Sequence, residues 1–347
     1  MSEELRGQLM AAEIAEQPVA LARLLATATE QIVPIAAAVR SRRPRFAILA
    51  ARGTSDHAAL YAKYLLEILA GLPVGLASPS TLTVFGSEPD LSEVLWIAVS
   101  QSGGSPDLVD STTVARRGGA ITLGVTNAAA SPLATACEFH IDVHAGPERA
   151  VAATKSYANQ LLALYLLIDR IRGGDGRAAQ ALPEAAQAIV DINPGAEVAP
   201  RYRFVERIVT TGRGYAYPTA REGALKLMET SYLAAHAFSG ADLLHGPFAM
   251  IDEDRPVVAI VPEGLGGEAM RPVMNRLAER GADVLAIGDP ANAPDATVTI
   301  ALPRGIAEEV SPILQIIPLQ QLAQAMSVAR GYDPDAPRGL RKVTETW

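Results

Sequence analysis

Short apolar runs alternate with amphipathic stretches along most of the chain. Arg45–Ala50 (RFAILA), residues 94–99 (VLWIAV) and Ile121–Val125 (ITLGV) are continuous runs of the kind that form buried strands. Between them the apolar positions change to helical spacing. One such pattern passes through Tyr64, Leu65, Ile68 and Leu69 and is stopped by Gly71 and Pro73. Another runs to Arg117 and is stopped by Gly118-Gly119. The segment before the first run, up to about Val39, has helical spacing at Leu21, Leu24, Leu25, Ile32 and Val33, with Pro18 and Pro34 starting or interrupting pieces of it. Strands that alternate with helices predict a parallel, doubly wound α/β sheet.

The pattern then occurs a second time. Ile208–Thr211 and Val257–Val261 read as strands, with a helix through Glu222, Leu225 and Met228 between them. ARRGGAITLGVTN (Ala115 to Asn127) resembles AERGADVLAIGD (Ala278 to Asp289). A separation of roughly 160 residues is too long for a solenoid repeat and predicts a duplicated α/β domain. The expected order is an N-terminal helical segment (1–34), a first domain (35–172), a linker rich in Gly, Ala and Pro (173–200) with an Ala-rich helical stretch around 183–189, a second domain (201–335) and a C-terminal tail (336–347).

The two copies differ where chemistry is expected. The strand at 94–99 leads into Ser100-Gln101-Ser102-Gly103-Gly104-Ser105, whereas the strand at 257–261 leads into Pro262-Glu263-Gly264-Leu265-Gly266-Gly267. A serine- and glycine-rich loop at the carboxyl end of a parallel strand, opening a helix, suits an anion through hydroxyls, backbone N–H groups and the helix dipole. A plain capped loop is the alternative. The second copy has no serine and carries a carboxylate, so the first is the expected phosphate site. Thr54-Ser55, opening another helix at a strand end, supplies a second donor cluster on the same rim.

Other constellations lie further along. Lys226 and Glu229 in EGALKLMETSY are three apart and share a helix face; a surface ion pair explains that spacing equally well. His245 precedes Gly246-Pro247, where a loop imidazole can move protons near neutral pH or serve structure alone. The tail PRGLRKVTETW sets Arg338, Arg341 and Lys342 among Leu340, Val343 and Trp347, so it is either solvated or docked. His140, Asp142 and His144 alternate as metal ligands on a strand can, but no further ligand group accompanies them, and polar positions on an edge strand account for the spacing. No metal and no cofactor is expected.

Composition narrows the function class. The chain has 347 residues, a formal net charge of −8 and a single cysteine, Cys137. The acidic balance argues against a nucleic-acid surface. One cysteine allows no internal disulfide or Cys-based zinc framework, and a cytoplasmic setting fits. The N-terminal MSEELRGQLMAAEIAEQ lacks a signal-peptide core. Leu161–Ile168, the most continuous apolar stretch, is far shorter than the roughly 20 residues of a membrane span.

ARGTSDHA, SQSGGSPDL, AGPERAVAATKSY, EGALKLMETSY, LLHGP and PRGLRKVT stand in the order of the sugar-isomerase-domain (SIS) family. The chain resembles the isomerase half of glucosamine-6-phosphate synthase and the related glucosamine-6-phosphate deaminases, over nearly everything after residue 35. The resemblance implies two tandem SIS domains, each a parallel α/β sandwich, assembled as a homodimer. It implies that Ser100, Gln101, Ser102 and Ser105 hold the phosphate, that Thr54, Ser55 and Val151 contact the sugar, and that Glu229 moves a proton between C1 and C2. His245, from the neighbouring subunit, would open the ring. Lys342 would meet the C2 carbonyl as the synthase's Schiff-base lysine does, and Lys226 would lie near the ring and C1 oxygens.

The sequence departs from the synthase at Gly104, where the pattern has an acidic residue, and at Ala153, where it has a serine. About 40 residues precede the first strand, with no nucleophilic cysteine, so ammonia release from glutamine is not expected. RGTSDHA, SGGSPDL and LLHGP look more like the deaminases. The expected reaction is glucosamine 6-phosphate to fructose 6-phosphate and ammonia. The alternatives are isomerisation of another amino- or keto-hexose 6-phosphate, and a sugar-phosphate-binding regulator without catalysis.

Overall fold

The apolar runs pair in parallel, in two separate five-stranded sheets, in a computed structural model that describes residues 6–342. In the first sheet are β1 (Phe46–Ala50), β2 (Val74–Leu76), β3 (Val94–Ser100), β4 (Ile121–Thr126) and β5 (Phe139–Asp142). Their order is β2-β1-β3-β4-β5, with Ile48 beside Trp96 and Trp96 beside Thr122. In the second are β6 (Arg207–Gly212), β7 (Ala234–Ser239), β8 (Val257–Val261), β9 (Val284–Gly288) and β10 (Val298–Ala301), in the order β10-β9-β8-β6-β7. Each sheet therefore sets its first strand between its second and third. The chain reverses direction between β1 and β3 and again between β6 and β8. In such sheets the crevice outside the carboxyl ends of those two strands is the place for a ligand.

The central strands are largely apolar because both of their faces are covered. All residues of β3, β4, β8 and β9 are buried. On one face of the first sheet Val94, Trp96 and Ala98 meet Leu108, Ala115 and Leu133. Trp96 satisfies its one polar atom by donating to Thr112 Oγ1 at 3.1 Å. On the second sheet Val257, Ala259 and Val261 meet Met270, Val273 and Leu277. Helix Lys155–Ile171 is buried at every position from Lys155 to Asp169, which is why Leu161–Ile168 reads as an unbroken apolar stretch.

The described residues form two compact units. One holds the first sheet: residues 19–148, 155–180 and 341–342. The other holds the second: residues 6–18, 149–154 and 181–340. Three local expectations change. Gln17–Arg42 is one helix that passes through Pro34 without a break. Pro34 lies on its exposed side, so the carbonyl of Glu30 that loses its partner faces water. By length and composition this helix is also long and apolar enough to cross a membrane. One face, with Ala20, Leu21, Leu24, Ile32, Ile35 and Val39, is buried, while Arg23, Glu30 and Arg40 are exposed together with Val19 and Val33. Finally, the connecting stretch carries, besides the helix expected around 183–189, which spans Leu182–Ile192, a second helix, Pro194–Tyr202. The second packs so closely on helix Pro312–Ala329 that a Cβ on Gly195 would lie 2.1 Å from the Pro318 carbonyl oxygen.

Candidate active site

The loop after β3 sits at the reversal point of the first sheet. Its backbone is folded by its own hydroxyls: Gly103 N–H donates to Ser100 Oγ at 3.0 Å and Gly104 N–H to Ser102 Oγ at 3.3 Å. Gly103 has φ +63°, and a Cβ there would fall 2.2 Å from Ser131 Oγ, so only glycine fits. Ser100 is buried, while Gln101, Ser102, Gly104 and Ser105 are half-buried and reach the surface. Ser105 precedes helix Pro106–Arg117, and its side-chain oxygen accepts no capping bond from it.

The turn after β1 joins this loop through a contact that spacing does not reveal. Arg52 donates to Asp107 Oδ2 through Nε at 2.9 Å and Nη2 at 2.7 Å. Asp107 lies in the first turn of helix Pro106–Arg117 and is buried, so the guanidinium neutralises a carboxylate at the end where the ligand is expected. Thr54 and Ser55 follow Arg52. Ser55 is buried and accepts Gln160 Nε2 at 3.0 Å; Thr54 is half-buried at the start of its helix. Arg52 and Asp107 are therefore additions to the predicted site.

Lys342 also belongs to this unit. Its Nζ lies 2.9 Å from Glu148 Oε2, and Glu148 is held by Ser156 N–H and Ser156 Oγ at 3.0 and 2.7 Å. The tail is thus docked at this point, and upstream the guanidinium of Arg338 stacks 3.8 Å from the centre of the Tyr232 ring. Arg341 is exposed, and Val343 and Trp347 lie outside the described residues.

In the other unit, helix Ala216–Ser231 presents Lys226 between two carboxylates. Its Nζ is 2.6 Å from Glu229 Oε2 and 3.3 Å from Glu222 Oε1. Lys226 and Glu222 are fully buried, whereas the Glu229 side chain retains 22% exposure. This is no surface pair. Burial alone would lower the lysine's pKa, but the two carboxylates outweigh it and raise the value above the usual lysine range. The i, i+4 partner Glu222 was legible only as a helix residue. His245 is exposed at the end of helix Gly240–Leu244, with Nδ1 2.8 Å from the Ala241 carbonyl oxygen. A carbonyl only accepts, so Nδ1 carries the hydrogen and Nε2 is the basic nitrogen. Val151 is half-buried in the segment 149–154, whose Arg149 and Ala150 N–H groups are held by Glu13.

The second copy of the loop has its amides taken. Glu308, not Glu263, accepts Gly266 N–H at 2.9 Å and also bonds Leu265 N–H. Glu263 instead accepts Gly305 N–H at 3.1 Å. His140, Asp142 and His144 do not form one ligand set, although His144 Nδ1 lies 3.7 Å from Asp142 Oδ2. His140 bonds Thr126 Oγ1 at 2.9 Å, Asp142 accepts His144 N–H at 2.8 Å, and His144 lies beyond β5 with its ring 2.7 Å from Gln31 Nε2. No group of three His, Cys, Asp or Glu residues among the described residues could hold a metal ion.

The SIS domain model matches residues 42–170 and 202–329, one match on each sheet. The chain belongs to the SIS domain family. Among its SIS relatives, a glutamine–fructose-6-phosphate aminotransferase (isomerizing) of Thermus thermophilus is 36% identical over 353 residues. That alignment covers 96% of this chain and 58% of the relative, so the chain spans a little over half the length of the curated relatives it matches. Among solved SIS structures, a candidate phosphosugar isomerase from Silicibacter pomeroyi superposes with a TM-score of 0.84 at 35% identity, covering 94% of this chain and 99% of the other. The C-terminal domain of glucosamine-fructose-6-phosphate aminotransferase from Francisella tularensis superposes with a TM-score of 0.83 at 26% identity, over 97% and 100% of the two chains. The tandem SIS architecture is therefore that of the whole chain.

Proposed function

We propose that this SIS protein is a phosphosugar isomerase that deaminates glucosamine 6-phosphate to fructose 6-phosphate and ammonia. The observation that carries the reading is the Lys226 cluster. It contains a carboxylate, Glu229, that is fixed at 2.6 Å by a buried cation yet still open on one side. A base that takes a proton from one sugar carbon and returns it to the next needs this combination of fixed geometry and access.

In this reading Ser100, Gln101, Ser102 and Ser105 bind the 6-phosphate, with Thr54, Ser55 and Val151 beside the sugar. His245 Nε2, from a second copy of the chain, moves a proton between the C1 hydroxyl and the ring oxygen as the C1–O5 bond opens. Glu229 takes the C2 proton from the open aldehyde and returns it to C1. The C2 imine so formed takes up water and releases ammonia. Lys226 stabilises the developing negative charge on oxygen. Cys137, the one cysteine of this chain, is buried, and burial pushes its thiol up to about 12, so it is no nucleophile for glutamine.

The test is Glu229→Gln. Ammonia release should fall by about 10²–10⁴-fold, the usual share of general acid–base catalysis, while sugar phosphate still binds. Turnover at the wild-type rate would remove Glu229 from this role. A second reading, aldose–ketose isomerisation without loss of nitrogen, draws on the likeness to the Silicibacter pomeroyi protein. Fructose 6-phosphate formation from an unaminated aldose phosphate, with no ammonia from glucosamine 6-phosphate, would favour it.

A further inference from the structure

We infer that Glu148 is the positioning residue for Lys342. The inference rests on the reading above together with the place at the sugar C2 carbonyl that the family resemblance implies for Lys342, and adds the group that decides where that lysine waits. The Glu148 side chain has no exposed surface, while the Lys342 side chain keeps 24% of its own. The carboxylate is therefore the fixed member of the pair, and the lysine is the one a ligand can reach.

At least three donors among the described residues converge on this carboxylate. Oε1 accepts the N–H of Ser156, and Oε2 accepts both the Ser156 hydroxyl and Lys342 Nζ, at 3.0, 2.7 and 2.9 Å respectively. Ser156 is the second residue of the 17-residue helix Lys155–Ile171. A carboxylate at a helix N-terminus, accepting its backbone N–H, is stabilised as the anion. Lys342 is held to the Glu148 carboxylate by charge and hydrogen bonding together. Ser156 in turn lies on the most deeply buried helix of this unit, so the anchor is tied to the core rather than to another loop.

The pairing also joins two separate sequence motifs. Glu148 belongs to AGPERAVAATKSY, whose Val151 is expected at the sugar, and Lys342 to PRGLRKVT, 194 residues later. A tail lysine on four rotatable bonds has many positions open to it. A single buried anion reduces these to one.

Glu148→Gln tests this without unfolding the helix end, because the amide oxygen still accepts from Ser156 while the charge is lost. Lys342 labelling by trinitrobenzenesulfonate, read by peptide mass spectrometry, should quicken at least fivefold in Glu148→Gln and return towards wild type in Glu148→Asp. In the turnover assay, kcat should fall at least tenfold with KM changed less than threefold. Lys342 labelling at the wild-type rate in Glu148→Gln, with the variant melting as wild type does, would overturn the inference whatever the turnover. Failure of the wild-type protein to release ammonia from glucosamine 6-phosphate would instead strike the deaminase reading and leave the labelling comparison to decide the anchor.

Discussion

A lysine without solvent exposure needs negative neighbours, and Lys226 has two, Glu222 and Glu229. Breaking a buried pair leaves an uncompensated charge, which typically costs about 3–5 kcal/mol. Lys226→Met should therefore lower the free energy of urea unfolding by roughly that amount. Glu229→Gln should cost much less, since Gln still accepts from Nζ and sits at the open end of the cluster. Equal losses from the two variants would mean that the charges do not act as described. Position 140 sets a pH dependence. Burial holds the His140 imidazole below its usual value of 6.5, with Asp142 acting in the opposite direction. The folded state thus prefers the neutral ring. The stability this gives is present above about 6.5 and is lost as pH falls through the depressed folded value. His140→Gln can keep a bond to Thr126, and its melting temperature should drop less than the wild type's between pH 7.5 and 5.5. An identical drop would assign the effect to other groups.

At the scale of elements, the two loops at the reversal point of the first sheet are fastened by Arg52 and Asp107. Losing Arg52 leaves a buried carboxylate without its cation, a cost on the order of 1–3 kcal/mol. Arg52→Ala should therefore both lower the melting temperature and weaken phosphate binding; weakened stability with unchanged binding would separate the clasp from the ligand. Ser102→Ala and Ser105→Ala should each raise the Kd for inorganic phosphate by about tenfold or more, since a hydrogen bond to a charged group is worth roughly 1.5–3 kcal/mol. The elements themselves were unequally legible. β3, β4, β8 and β9 stand out because burial on both faces demands unbroken apolar runs. The edge strands β2, β7 and β10 do not, since an edge is half in water and β2 has only three residues. The helix through Pro34 was misread because a proline on the wet side of a helix costs less than one inside it.

For the molecule as a whole, repetition was legible and its consequences were not. The matching strand-and-glycine patterns pointed to two α/β domains, and the two sheets share one strand order. The serine loop, Lys226, Glu229 and His245 could be picked out because each sits at the end of an apolar run or on a helix face. Arg52 with Asp107, Glu148 with Lys342, and Glu308 with Gly266 are contacts 55, 194 and 42 residues apart, and no local pattern predicts them. The last of these bears on stoichiometry. A duplicated fold offers two loops of the same kind, yet the chain has placed its own carboxylate on the amides of the second. Calorimetric titration with inorganic phosphate should therefore saturate at one ion per chain, and Glu308→Gln should not create a second site, because the amide oxygen remains a tenant. One half of the duplication thus holds permanently, through its own side chain, the occupied state that the other half reaches only when it is loaded.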